Sequence, residues 1–263
     1  GTITKRQLLA FTSGLRDSSR SSASADCIGD LPDGAGDTEK NACIEEIRTG
    51  TAGDTPGESF VYNSNHMAVA ARMAEIQSGL TWQQLFNQYL AAGDKLNFDT
   101  SQAVWHANVS DKSGDGSLAG AYGLVLSADH YMRFLTMLLN NGVYNGNTIL
   151  SASSVREILS DQYESNTTIR YSQFALFGYS WQYGLGNWRF CSNPSDATVC
   201  NGDVNPHSFG ANGFYPWIDP AGGYAAVIGA NIRTQSGLIP DSATNLFFGE
   251  NLKPYIYALL ASQ

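Results

Sequence analysis

Apolar residues recur every three or four positions along much of the chain and every second position elsewhere, so the sequence predicts both helices and strands. Residues 4–15 read as a short helix ending at Gly14. Another is expected from Ser64 to Gln77, with Val69, Met73 and Ile76 at helical intervals and Gly79 as its stop. Thr81 caps the next, whose apolar face includes Trp82, Leu85, Phe86 and Tyr89. Ser127 opens a helix with Tyr131, Phe134, Leu135, Leu138 and Leu139 in register, closed by Asn141-Gly142. Leu150-Ser151 opens one more, carrying Val155, Ile158 and Leu159.

The period then changes. Phe177, Tyr179, Trp181, Tyr183 and Leu185 alternate, as in a strand with one buried face. A second extended run covers Phe214 to Ile218, Asp219 to Gly223 is a turn, and Tyr224 to Ala230 is a nearly continuous apolar strand. The last helix shows Leu252, Tyr255, Ile256, Leu259 and Leu260 on one face. From Ser18 to Gly57 the chain is rich in Ser, Gly, Asp and Thr and reads as a long surface excursion. The expected class is α/β (α+β): a mostly helical region over residues 1–170, then antiparallel sheet strands and a covering helix over residues 171–263.

Composition narrows the function classes. Hydrophobic residues make up 43% of the 263 and charged ones 15%, as in a folded globular chain. No apolar run reaches the ~18 residues of a membrane span. Fifteen basic against 24 acidic residues give a net charge of −9, and the basic ones are scattered. Nucleic acids and anionic membranes are therefore not expected partners. The chain opens on Gly1, Thr2, Ile3 and Thr4, neither a signal peptide nor a starting Met, so upstream residues are expected to have been removed. Four cysteines fall into two local pairs, Cys27 with Cys43 and Cys191 with Cys200. Each pair encloses a polar loop, so two local disulfides and an oxidising compartment, secreted or periplasmic, are expected. Asn108 and Asn166 each begin a glycosylation triplet. His66, His106 and His130 are widely spaced, read as surface or half-buried residues, and suggest no metal site; no cofactor is expected.

Several segments, in order, resemble the serine β-lactamase, D,D-peptidase and related esterase superfamily, nearest its class C branch. The opening Ile3-Thr4-Lys5-Arg6-Gln7-Leu8-Leu9 through Thr12-Ser13-Gly14-Leu15 is similar to that family's I-T-x-R-x-L-L…T-S-G-L stretch. Pro56-Gly57-Glu58-Ser59-Phe60-Val61-Tyr62-Asn63-Ser64 resembles the approach to its Tyr-x-Asn motif, with Ser64 in the Asn position and an Asn one residue later, at Asn65. Ala119 to Asp129, with Gly142 to Gly146, looks like a later helical segment. His207-Ser208-Phe209-Gly210-Ala211-Asn212-Gly213, then Trp217-Ile218-Asp219-Pro220, is similar to the strand bearing Lys-Thr-Gly or His-x-Gly. Strict spacing from Gly210 puts Ser208 in the Lys/His place, and His207 stands beside it as the alternative.

The resemblance implies acyl transfer through a serine ester, on an ester, peptide or β-lactam carbonyl. It implies Tyr62 as proton shuttle, Ser64 as donor to substrate or lysine, and His207 or Ser208 as contact to a substrate carboxylate or aid to proton transfer. It further implies Gly210, Ala211 and Asn212 as the substrate-binding edge, with the Ala211 amide as an oxyanion donor. A helix N-cap is the competing role for Ser64. The family's Ser-x-x-Lys is absent: none of Lys5, Lys40, Lys95, Lys112 and Lys253 has Ser three residues before it. The expected partners are a small-molecule or peptide substrate and an N-terminal segment of the same protein that carries the nucleophile, without which this chain is inactive. The alternative is a non-catalytic binding or scaffold protein on the same fold.

Overall fold

The computed structural model describes residues 2–16, 25–32, 34–50, 53–105, 120, 122–172, 182–191, 204–210, 214–229 and 241–262, the last stretch with side chains from residue 251 and Cys191 by its backbone. Helix α1 (Lys5–Leu9) starts with a capping box, in which Thr4 Oγ1 accepts from the Gln7 N–H and Gln7 Oε1 accepts from the Thr4 N–H. It is shorter than expected. Ala10 ends it, and Phe11 follows in the left-handed region at φ 57°. That turn lets Phe11 O accept from the Val61 N–H and Thr12 O from the Gly57 N–H. Gly14 does not stop the helix: a Cβ there would lie 2.3 Å from Asp54 O, so glycine permits a close backbone approach.

The expected surface excursion is packed helix. α2 (Cys27–Asp30) and α3 (Asp37–Gly50) bury Ile28, Leu31, Cys43 and Ile47 against Leu8, Leu15 and Ala68. A Cys27–Cys43 disulfide joins the two helices, as the spacing predicted. Helix α3 escaped notice because its apolar positions are few and part of its inward face is a lysine, Lys40.

Helix α4 (Asn65–Ser78) is turned differently from its apolar pattern. Met73 is 42% and Ile76 64% exposed, while Ala68, Ala71, Arg72 and Glu75 face inward. The Glu75 carboxylate decides this. Its Oε1 accepts from Lys40 Nζ at 2.8 Å and the Trp82 N–H at 2.8 Å; its Oε2 accepts from Arg72 Nη1 at 3.0 Å. Both buried oxygens are satisfied only with this face inward.

Past α4, Thr81 and Gln84 form a second capping box on α5 (Trp82–Phe86), which runs into a π-helical turn at Asn87–Ala91. Ser127 caps α6 (Ala128–Leu139) and Ser151 caps α7 (Ala152–Leu159), each hydroxyl accepting from the N–H three residues on. Short strands not foreseen in the sequence lie among these helices. β1 (Ser59–Val61) pairs in parallel with β6 (Thr168–Tyr171), β2 (Val104–Trp105) with β3 (Leu124–Val125), and β4 (Val143–Tyr144) with β5 (Asn147–Thr148). Pieces of two to four residues are too short to show a period.

The larger sheet is an antiparallel meander of β7 (Gln182–Tyr183), β8 (Trp188–Cys191), β9 (Val204–His207), β10 (Phe214–Asp219) and β11 (Tyr224–Gly229). Its alternation sorts side chains onto two faces. Phe214 and Ile218 meet α6, with the Phe214 ring 4.8 Å from that of Tyr131. Tyr215 and Trp217 face α8 (Asp241–Leu260), where Lys253 Nζ sits 4.5 Å over the Phe190 ring and the Tyr257 hydroxyl donates to buried Asp219. Of the apolar face expected to cover the sheet, Ile256 packs against it, but Tyr255 is 70% and Leu259 65% exposed, while Lys253 is buried. The Lys253 ammonium lies over aromatic rings and docks the helix together with Ile256. A mostly helical region, an antiparallel sheet and a C-terminal helix follow one another as the sequence predicted, the order expected of a β-lactamase/transpeptidase-like fold. Among the described residues no strand precedes β1, and no helix is long and apolar enough to cross a membrane.

Two histidines differ from expectation. His66 is fully buried: its Nε2 donates to Val61 O at 3.0 Å, which leaves Nδ1 to accept from the Ser13 hydroxyl at 2.6 Å. His130 is buried against Phe98, and its Nε2 accepts from the Asp99 N–H. Burial holds the His66 imidazole neutral, its pKa lowered to about 3 despite the bond to Val61.

Replacing Glu75 with Gln keeps the volume but leaves Lys40 and Arg72 without their shared anion. Urea denaturation should show a loss of about 3–5 kcal/mol. His66 gives a pH dependence with a definite sign. The unfolded imidazole takes up a proton near pH ~6.5, whereas the folded one resists until about 3, so stability is full above that upper value and falls as pH drops below it. The slope contributed should approach ~1.4 kcal/mol per pH unit, and His66→Gln should flatten it in a pH series of melts.

Candidate functional site

The motif-bearing segments converge on a cleft of about 1460 Å³ between the helical region and the sheet. Tyr62 lies directly after β1, aimed by two backbone bonds: its own N–H donates to Tyr171 O at 3.1 Å, and the Val61 N–H to Phe11 O at 3.1 Å. Its ring packs against Phe11 and Trp188, with centroids 5.1 Å away in each case. Burial raises the Tyr62 pKa above the ordinary phenol value, and a hydrogen bond from Trp188 opposes the rise. No charged side chain among the described residues takes part, so the phenol is protonated at neutral pH.

Ser64 occupies the N-cap position of α4 in a helical conformation, and its side chain does not cap. Asn63 does the local work: its Oδ1 accepts from the Asn65 N–H at 3.0 Å, and its Nδ2 donates to Leu15 O at 3.2 Å. Ser64, half-buried, lines the cleft beside Tyr62. Asn65, the other Asn near the motif, is buried, with its Oδ1 accepting from the Ala25 N–H at 2.8 Å. Its amide ties the loop before α2 to the head of α4.

The sheet separates His207 from Ser208. His207 pairs across the ladder with Trp188 and Trp217, and cross-strand partners share a face. Its buried ring lies 4.4 Å from that of Phe209 and 5.9 Å from those of Phe190 and Tyr215, on the side of Lys253. Burial and then the Lys253 charge hold His207 well below the ordinary imidazole pKa, so it is neutral. Ser208, one residue on, donates its N–H to Pro216 O and by strand alternation points to the opposite face from the His207 ring, although both residues border the cleft, as do Pro206 and Pro216. Gly210 closes the strand end: its N–H donates to Phe214 O at 2.7 Å, and a Cβ would lie only 3.0 Å from that of Phe214. Ala211, Asn212, His106, Asn108, Cys200 and the side chain of Cys191 lie outside the described residues, and with them the second expected disulfide.

Sequence reasoning missed the rest of the cleft. Asn187, in the turn between β7 and β8, donates its amide to Ile158 O at 2.7 Å, and its buried Oδ1 has no hydrogen-bond partner. Trp82, Phe86, Trp105, Tyr131 and Phe134 make an aromatic wall. Their periodicity marked some of them as core, and nothing in the pattern told a core wall from a cleft wall. The Ser13–His66 pair has the atoms of a nucleophile and base, yet both residues are buried and neither lines the cleft. Among the described residues no group of three His, Cys, Asp or Glu side chains converges on one point.

A family model described as Beta-lactamase matches residues 1–244. A β-lactamase-like protein of Bacteroides dorei DSM 17855 is 25% identical, covering 96% of this chain and 71% of its own, with a TM-score of 0.66. The simvastatin synthase of Aspergillus terreus, in a mutant form, is 18% identical over 100% of this chain and 70% of its own, with a TM-score of 0.62. EstCE1, a hydrolase with promiscuous acyltransferase activity, is 18% identical over 86% of this chain and 66% of its own, at a TM-score of 0.59. No curated protein matches. The last two likenesses carry the fold alone, but the family model spans nearly the whole sequence: the chain belongs to the β-lactamase family.

Proposed function

We propose that this chain forms most of a serine hydrolase that transfers an acyl group through a serine ester. The observation that carries the reading is the meeting of Tyr62, Ser64, Ser208 and Gly210 on one cleft. Membership of the family, and the fold shared with a hydrolase that has acyltransferase activity, support it. Residues 1–263 hold no Ser-x-x-Lys, so the nucleophile and its lysine come from elsewhere in the protein. In the proposed reaction the serine oxygen bonds to the substrate carbonyl carbon as its proton passes to the lysine–Tyr62 pair. The oxyanion is held by backbone N–H groups, that of Ala211 among them. Collapse breaks the bond to the leaving group, which takes the proton from Tyr62, and water then hydrolyses the acyl-serine by the same steps in reverse.

Tyr62 has no cation of its own among the described residues, which fits a base that works only when the lysine is beside it. Ser64 donates to substrate or lysine. Ser208 takes the strand position facing the carbonyl, in place of His207.

The test uses the longer protein that carries the chain. A fluorophosphonate probe should label one serine upstream of residue 1, and Tyr62→Phe should lower kcat/KM on a 4-nitrophenyl ester by roughly 10²–10⁴-fold in a folded protein. Residues 1–263 alone should turn over neither that ester nor nitrocefin. Turnover by the isolated chain, abolished by Tyr62→Phe, would place the nucleophile inside it. Absence of labelling, with no upstream Ser-x-x-Lys in the gene, would leave a non-catalytic binding protein.

A further inference from the structure

The charge of the cleft wall discriminates among carbonyl substrates. The described residues lining it include no Lys, Arg, Asp or Glu. Its polar groups include the Tyr62 hydroxyl, the amides of Asn63 and Asn187, and the hydroxyls of Ser64 and Ser208. The Tyr131 phenol in the aromatic wall is neutral, pushed up to about 12 by burial. His207, the one titratable cation candidate, has a buried neutral ring turned toward α8. At the rim, burial and the charge of Asp30 raise the Tyr122 phenol. The chain as a whole carries −9. A carboxylate held in the cleft away from the lysine that the proposed reaction sets beside Tyr62 would lose water and meet no cation among the described residues, which costs it at least about 100-fold in affinity. An apolar group would instead gain about three- to fourfold for each methylene buried against the aromatic wall.

We propose that the cleft takes uncharged esters bearing a large apolar or aromatic group and rejects substrates that carry a carboxylate. This rests on reading the cleft as the acyl-transfer site. It separates the chain from any enzyme that grips its substrate by an anionic end.

Binding tests the proposal apart from turnover. The longer protein that carries the chain is titrated with 2-hexanoylnaphthalene and with 6-(2-naphthyl)-6-oxohexanoate, unreactive ketones that differ by one terminal carboxylate, and tryptophan fluorescence is read. The neutral ketone should bind at least about 100-fold more tightly. Val125→Lys and Tyr89→Lys, both at exposed positions on the cleft rim, put a cation there. Each should shift the ratio toward the carboxylate by about two- to fivefold at low salt, and less at high salt. Equal binding of the two ketones, tighter binding of the carboxylate, binding of neither, or a ratio that neither variant moves would overturn the proposal. In parallel, the longer protein is assayed on 4-nitrophenyl hexanoate and mono-4-nitrophenyl adipate. Selective ketone binding without turnover of either ester would sink the hydrolase reading and leave the charge selectivity standing. Turnover of both at similar kcat/KM would do the reverse.

Discussion

The arrangement of the helical region depends on where one carboxylate goes. Glu75 is buried, and a buried anion must find cations and N–H donors or drive its helix outward. It finds Lys40 on α3, Arg72 one turn back on α4 and the Trp82 amide at the start of α5. Three helices are thereby fixed around one charge. Because α4 is oriented by that charge and by the close packing of Ala68 and Ala71, its large apolar residues Met73 and Ile76 are left outside. Ser64 stands at the head of α4, so its place on the cleft depends on an ion cluster that does not touch it.

A second constraint works from the sheet side. Strand alternation offers each neighbouring pair of residues opposite surroundings: the His207 ring packs in the aromatic layer beneath α8, and Ser208 points to the other face, both at the border of the cleft. The histidine is the more reactive side chain in isolation, yet burial between rings and beside Lys253 takes away its charge. The cleft is left with hydroxyls and amides, which orient a substrate without attracting an ion.

Much of this was legible in the sequence where the signal is local. Ser127 and Ser151 mark helix starts, Asn141-Gly142 marks a stop with both residues at positive φ, and the pairing of Cys27 with Cys43 follows from their spacing. The order of a helical region, a sheet and a final helix follows from the change of period. What failed was the inference from apolar to inward. On α4 and α8 the inward face includes a charged residue, Glu75 and Lys253, whose partners lie far away in the chain. Helix α3 went unseen for the same reason, since Lys40 fills a core position. His66 was misjudged because its partners, Ser13 and Val61 O, meet it only once α1 and β1 are folded together.

The parallel pair of β1 and β6 joins Ser59 to Thr168 across nearly the whole helical region. Closing so long a loop offers little return until the intervening helices are packed, so this pair should be among the last contacts to form. Tyr62 hangs from its end and would reach its place only then. The same arithmetic makes the chain between the two strands permissive: doubling a loop's length adds only about 0.6 kcal/mol to its closure. Segments between α5 and α6 can therefore lengthen, shorten or change character in related proteins, reshaping the wall opposite Tyr62 while the strand pair that aims the phenol stays as it is.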